Sequence, residues 1–253
     1  HIDHSPAEVD AHYPVAVGVK GDIKHSLERI ARIATPHEGK HIRPLRERLV
    51  EEMNQHRDDL EFPVKPQKII WDLRTALDLE DIVVCDVGAH KMWMARMFRC
   101  EHPNTCIISN GFASMGIAVP GAIAAKLASP QHRVVAVTGD AGFMMNSQEI
   151  ETAIRNGLDI VILIWNDSSY GLIEWKQMNQ YQRTSNVRFN NPDFVKYAES
   201  FGARGYRVER TADLPTILEE ALGNAGVSII DCPVDYRENI KLTEQLGTLV
   251  CPT

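Results

Sequence analysis

The chain has no Cys-x-x-Cys pair, no apolar run long enough to span a membrane and no dense cluster of Lys or Arg. Each gap removes a class of function. The five cysteines stand alone at 85, 100, 106, 232 and 251. An odd number without metal-ligand spacing reads as reduced thiols of a cytoplasmic protein, not as a disulfide framework or a zinc site. No apolar stretch approaches ~18 residues, so no membrane span is expected. The net charge of −7, from 27 Lys and Arg against 34 Asp and Glu, argues against a nucleic-acid partner. Nucleotide loops are missing too. There is no Gly-Lys-Ser/Thr Walker sequence, and Gly111-Phe112-Ala113-Ser114-Met115-Gly116 lacks the second glycine of a dinucleotide fingerprint. The opening residues, His1 to Pro6, carry neither an initiator Met nor a signal peptide, and read as the middle of a longer protein.

What is present is an ordinary globular composition, 44% apolar, with a strand–helix rhythm. Apolar runs at Ile82–Cys85, 105–108, Val134–Val137, Ile160–Ile164 and 228–231 are separated by helical stretches. That alternation predicts an α/β fold, a parallel sheet with helices on both faces. Ligands of such sheets sit at the carboxyl ends of the strands, where Asp86, Asn110, Asp140 and Asn166 fall.

Two of those ends form the most informative pair. Gly139-Asp140 closes one apolar run, and Asn166-Asp167 closes the next, with 27 positions between the two acids. Between them, 147–156 reads as a helix with Ile150, Ala153 and Ile154 on its apolar face and Gly157 as its stop. Gly142 and Phe143 then fall in the turn that opens this helix, where backbone N–H groups favour a phosphate. Two hard oxygen ligands beside a phosphate cradle suit Mg²⁺. The competing reading is a pair of strand-end acids that are simply solvated or salt-bridged.

Gly139-Asp140-Ala141, then 24 residues, then Asn166-Asp167, resembles the thiamin-diphosphate motif. Asp86-Val87-Gly88-Ala89-His90, the 110–116 segment and Pro233 to Asn239 resemble acetolactate synthases, and with Tyr197 to Ala203 the catabolic type in particular. The resemblance runs from about Pro66 to Gly247. It implies a thiamin-diphosphate-binding fold whose substrate is pyruvate and whose product is 2-acetolactate, with loss of CO₂. It also implies that Asp140, Asp167 and the Ser169 carbonyl hold Mg²⁺, and that His90, Ala141, Gly142 and Phe143 meet the diphosphate. By the same resemblance Met115 props the cofactor into its bent shape, and Ala113, Ser114 and Met115 face the pyrimidine. Tyr170 and Gly171 continue the cofactor loop, and Leu172 and Ile173 lie over the reacting centre. FAD is not expected.

This sequence departs from the pattern in places. Ala141 replaces a more usual Gly, and Ala89 stands where a polar residue is common. Asp167 replaces an Asn in many relatives, though the catabolic type shares the Asp. Lys176 stands where catabolic relatives often carry Gln. Trp175 sits one place before the Trp of the biosynthetic branch, a rotation of about 100° on a helix. The activating glutamate of the family lies on a pyrimidine-binding domain of a partner subunit, and this chain does not carry it. Glu149 and Glu151 read as a solvated helix face.

Residues 1–33 are similar to the closing strands and helix of the family's middle domain, with a helix over Ile23–Ile33. Residues 34–65 form a polar linker with a connecting helix over Pro44–Asp59, carrying Leu45, Leu49 and Met53. Residues 66–253 are the cofactor domain. A homodimer or homotetramer is implied for the full-length enzyme, with Phe98, Phe112 and Met115 as dimer surface or core. Two alternatives stand beside this reading: another thiamin-dependent 2-keto-acid decarboxylase or carboligase, and a non-catalytic binding or assembly module.

Overall fold

The computed structural model describes residues 1–5, 15–36, 38–40, 42–240 and 242. It falls into two compact units, residues 1–49 and 50–253. In the first, β1 (Ile2–Asp3) and β2 (Val19–Lys20) pair in parallel, and α1 (Ile23–Ile33) follows over the range expected from the sequence. Asp22 caps α1 by accepting from the His25 N–H at 2.7 Å, which satisfies one of the donors a helix start leaves open. The expected strand continuation over Pro6–Val9 lies outside the described residues. The connecting helix, α2 (Arg43–Met53), stops short of Asp59. The chain turns there, with His56 in the left-handed region at φ 63°.

The second unit is built on six parallel strands. They are β3 (Ile82–Cys85), β4 (Cys106–Ile108), β5 (Val134–Gly139), β6 (Ile160–Asn166), β7 (Arg204–Arg207) and β8 (Val227–Pro233). Their spatial order is β4-β3-β5-β6-β8-β7. The expected parallel sheet is therefore present, with one strand more than the apolar runs marked. The extra strand is β7, an edge strand reading Arg-Gly-Tyr-Arg, which has no apolar run to announce it.

Strand periodicity divides the core in two. Val83, Cys85, Val135, Val137, Leu163 and Ile230 point to one face. There they meet α3 (Pro66–Ala76), α4 (Ala89–Met97) and α10 (Leu214–Gly223) through Ile69, Leu73, Met94, Leu214 and Leu218. Val84, Val134, Ala136, Ile162, Ile164 and Ile229 point to the other face. They meet α5 (Ala118–Ala128), α7 (Glu149–Arg155) and α9 (Phe194–Ser200) through Ala122, Ile123, Ile150, Phe194 and Ala198. Burying each large aliphatic side chain is worth about 1.5–3 kcal/mol, which makes the two-sided core the main support of the sheet.

Two expectations are corrected. Gly142 and Phe143 do not lie in the turn opening the 147–156 helix; they belong to a short helix of their own, α6 (Asp140–Met145). Asp140 starts it directly at the strand end, its Oδ1 accepting from the Ala141 N–H at 2.8 Å. The following helix is α7, with Ile150 and Ala153 buried but Ile154 36% exposed. Gly157 ends it as expected, at φ 63°.

The chain runs outward from β3 to β4 and then returns to place β5 on the other side of β3. A crevice opens at the carboxyl ends where strand order reverses in this way. The elements that follow β3, β5 and β6 all begin at that edge.

Candidate functional site

Asp140 begins α6 at the end of β5, and Asp167 follows the end of β6, the adjacent strand. Asp140 is buried. Its Oδ2 accepts from the Ser168 N–H at 2.7 Å and from the Asn191 amide at 2.7 Å. Ser168 reaches it by adopting the left-handed region, at φ 54°. Burial raises the Asp140 carboxyl, against the lowering effect of these hydrogen bonds. Asp167 is pushed up to about 8, first by burial and then by the negative charges of Asp140 and Glu174. Two buried carboxylates that repel one another favour a proton or a cation at the site.

Ser169 is anchored beside them. Its hydroxyl donates to Glu174 at 2.7 Å, and Arg188 donates to the other oxygen of the same carboxylate at 2.8 Å. Burial opposes the ionised form of Glu174, but these hydrogen bonds and the Arg188 charge hold it below the usual carboxylate range. Glu174 is on α8 (Gly171–Tyr181), whose first residues turn over the strand ends.

Across the cleft, His90 sits in the first turn of α4, buried. Burial pushes its imidazole down to about 4, so the ring is neutral at physiological pH. It is hydrogen-bonded to the Asp86 backbone, and its Nε2 is buried without a partner. A Cβ on Gly88 would stand 2.8 Å from the His90 ring, so the glycine is what lets the imidazole lie there.

Asp86, at the end of β3, accepts from the N–H groups of Gly116 at 2.9 Å and Ala118 at 3.1 Å. It thereby fixes the loop that carries Ala113, left-handed at φ 51°, and Met115, half-buried.

One cleft of about 190 Å³ gathers most of the residues singled out in the sequence. His90, Ala113 and Met115 line one part, and Asp140, Ala141, Gly142, Asp167, Ser169, Tyr170, Gly171, Leu172 and Ile173 the rest. Ser114 is exposed and does not line it. The Phe143 side chain turns into the core, edge-on to Phe194 at 5.4 Å between ring centres, so only its backbone can serve the site. Trp175 lines a second recess of about 800 Å³, which shares Asp167, Gly171 and Tyr236 with the first. Phe98, Phe112 and Met115 do not form one face: Phe98 is in the core and Phe112 is fully exposed.

Three contributors escaped the sequence reading as site residues. Asn191 bonds Asp140 from 51 positions away, and no spacing rule links them. Tyr236 lines the cleft, and burial together with Asp167 and Asp140 pushes its hydroxyl well above its ordinary value. Asp86 was legible as a strand-end acid, but its backbone partners were not.

The residues fit a divalent cation. Among the described residues no group of three or more His, Cys, Asp and Glu could hold a metal alone. A Mg²⁺ ion does not need one, because it binds through one or two carboxylates and completes its shell with substrate phosphate oxygens and water. The charges that raise the Asp167 carboxyl, those of Asp140 and Glu174, are both negative, and His90 Nε2 and Asn191 Oδ1 are buried polar atoms without a partner.

The family described as thiamine pyrophosphate enzyme, C-terminal TPP binding domain, matches residues 86–232. The acetolactate synthase of Bacillus subtilis (strain 168) is 39% identical over 99% of this chain and 46% of its own length. The catabolic acetolactate synthase of Raoultella terrigena is 35% identical over 97% of this chain and 45% of its own. The acetolactate synthase large subunit of Cyanidium caldarium is 32% identical over 94% and 42%. The chain thus spans less than half the length of these relatives.

Proposed function

The chain belongs to the thiamine pyrophosphate enzymes, as their C-terminal cofactor-binding domain, and from this we propose that it is the diphosphate- and Mg²⁺-binding part of an acetolactate synthase. The reaction would condense two pyruvates to 2-acetolactate with loss of CO₂. The observation that carries the reading is the pairing of Asp140 and Asp167 at adjacent strand ends, in a cleft that also holds His90 and Met115.

In this reading Asp140, Asp167 and the Ser169 carbonyl hold Mg²⁺, and the Ala141 and Gly142 backbone at the start of α6 meets the diphosphate. His90 is neutral and buried, so it can donate or accept a hydrogen bond without adding charge. Met115 supports the cofactor from the loop that Asp86 fixes. Bound thiamin diphosphate supplies the electron sink for decarboxylation and carbon–carbon bond formation. Leu172 and Ile173 cover the reacting centre with apolar surface and limit access of water. The activating glutamate, and with it part of each active site, is assigned to a partner subunit of a homo-oligomer in the cytoplasm. Residues 1–33 are read as the end of a middle domain, 34–65 as the linker and 66–253 as the cofactor domain.

The test is calorimetric titration of the chain with thiamin diphosphate and Mg²⁺, beside the Asp140→Ala variant. Weak, Mg²⁺-dependent binding that the substitution abolishes, without acetolactate production, is the expected result. If a folded chain binds nothing, titration is repeated with the missing N-terminal part supplied: binding restored there and lost in Asp140→Ala keeps the assignment, and no binding even then sinks it. Product analysis on the intact enzyme separates acetolactate synthase from another 2-keto-acid carboligase: a product other than acetolactate from pyruvate favours the second.

A further inference from the structure

The loop that carries Met115 turns on Gly116. That residue stands in the left-handed region at φ 87°, and glycine takes positive φ about as readily as negative. Its own geometry therefore does not decide where Met115 goes; its partners do. The peptide unit between Met115 and Gly116 is held by Asp86, whose Oδ1 accepts the Gly116 N–H at 2.9 Å. The next peptide unit is held by another side chain. Asn146 donates through Nδ2 to the Gly116 carbonyl at 2.9 Å. The fit is close: a Cβ on Gly116 would stand 2.7 Å from Asn146 Nδ2 and 3.0 Å from Met145 Cβ.

Asn146 is itself firmly placed. It follows α6, its N–H donating to the Phe143 carbonyl at 3.3 Å, and its carbonyl accepts from the Glu149 N–H, at the start of α7, at 3.1 Å. The next residue, Ser147, is buried and shares a hydrogen bond of 2.8 Å with the Tyr197 hydroxyl on α9. The Tyr197 ring meets Phe143 of α6 edge-on, at 6.0 Å between centres. Asp86 follows β3, and α6 follows β5, the strand paired with β3. Two neighbouring strand ends thus each lead to a side chain that grips Gly116, and the element that leads to Asn146 begins with Asp140.

We propose that Asn146 is a positioning residue for the pyrimidine side of the cofactor site: by holding the Gly116 carbonyl it sets where Met115 stands in the cleft. The inference rests on the thiamin diphosphate reading and adds to it a residue that does not line the cleft. Losing the donor leaves the carbonyl of the buried Gly116 without this partner and frees rotation about the glycine. Met115, one residue away, then loses its fixed place. A plain helix cap would act differently. Asn146 as a cap would steady α6 alone, and its loss would fall on the diphosphate end of the site, where the start of α6 stands.

The test is calorimetric titration with two probes, thiamin diphosphate and inorganic pyrophosphate, each with Mg²⁺, on the chain with the N-terminal part of the enzyme supplied. Asn146→Asp keeps the shape of the side chain but, once ionised, cannot donate. It should weaken thiamin diphosphate binding about tenfold, the scale of one lost buried hydrogen bond, and leave pyrophosphate binding unchanged. In a Met115→Ala background the same substitution should cost nothing further, because the two residues act as one unit. Equal weakening of both probes would make Asn146 a cap of α6 and overturn the proposal. Unchanged thiamin diphosphate affinity, or losses that simply add to those of Met115→Ala, overturn it too. Should Asn146→Asp not fold, Asn146→Ala removes the donor without adding a charge and carries the same expectations. Failure of the cofactor reading itself looks different: the parent then binds neither probe, or binds both as well after Asp140→Ala.

Discussion

The Asn191 amide nitrogen lies 2.7 Å from Asp140 Oδ2 and 2.9 Å from Asn166 Oδ1. One side chain, from the segment before α9, thus ties the ends of β5 and β6 together where the two acids emerge. A hydrogen bond to a charged group contributes about 1.5–3 kcal/mol. Asn191→Ala should leave Asp140 freer to rotate and weaken Mg²⁺-dependent thiamin diphosphate binding by about tenfold, the equivalent of roughly 1.4 kcal/mol. Calorimetry beside the parent chain checks this. Unchanged affinity in a variant of unchanged secondary structure would show that the amide does not position Asp140.

Gly171 offers a sharper probe of the second acid. A Cβ there would lie 2.7 Å from Asp167 Oδ2, a distance that forces the carboxylate end to swing away. Gly171 is the first residue of α8 and does not use a left-handed φ, so Ala there narrows the unfolded ensemble and favours the fold by about 0.4–1 kcal/mol. Gly171→Ala should therefore keep or raise the unfolding midpoint while Mg²⁺-dependent binding falls by about tenfold or more. Thermal unfolding and titration of one preparation separate the two effects. If stability and binding fell together, the methyl group would be acting on the fold and not on Asp167.

The sheet was legible because β3, β5 and β6 are built on apolar runs, buried on both faces, that lead directly into Asp86, Gly139-Asp140 and Asn166-Asp167. Ile82–Cys85 and Ile23–Ile33 appear with the bounds read from the sequence. Strand β7 was not legible: Arg204, Gly205, Tyr206 and Arg207 sit at an edge, where one side is open and no apolar run is required. Helix α6 was hidden for another reason. Six residues are too few to show a period, and Gly142 argues locally for a turn. The candidate site divides in the same way. Asp140 and Asp167 follow from strand ends, which are local features. Asn191 and Tyr236 reach the cleft through chain reversals that depend on how α8 and the segment after β8 pack, and spacing carries no record of that.

The turn before α3 contains an ion pair whose pH dependence can be read directly. Asp59 accepts from Lys65 Nζ at 2.6 Å and from the Glu61 N–H at 2.8 Å, with His56 Nδ1 at 3.0 Å. Burial alone would raise its carboxyl, but the hydrogen bonds from Lys65, Glu61 and His56 outweigh it and hold Asp59 at about 2, below its ordinary 3.8. A pKa depressed in the folded state means the unfolded chain binds the proton first. The contribution of Asp59 is therefore fully present above about pH 4 and is lost as pH falls through about 2. The sign follows from the slope of stability with pH, which is positive wherever the unfolded state holds more protons. Asp59→Asn removes the titrating group while keeping its shape. Urea midpoints of the parent chain should exceed those of the variant at neutral pH, and the gap should close between about pH 4 and pH 2. A gap that stays constant over that range would mean that Asp59 and Lys65 contribute shape to the turn and no charge-dependent stability.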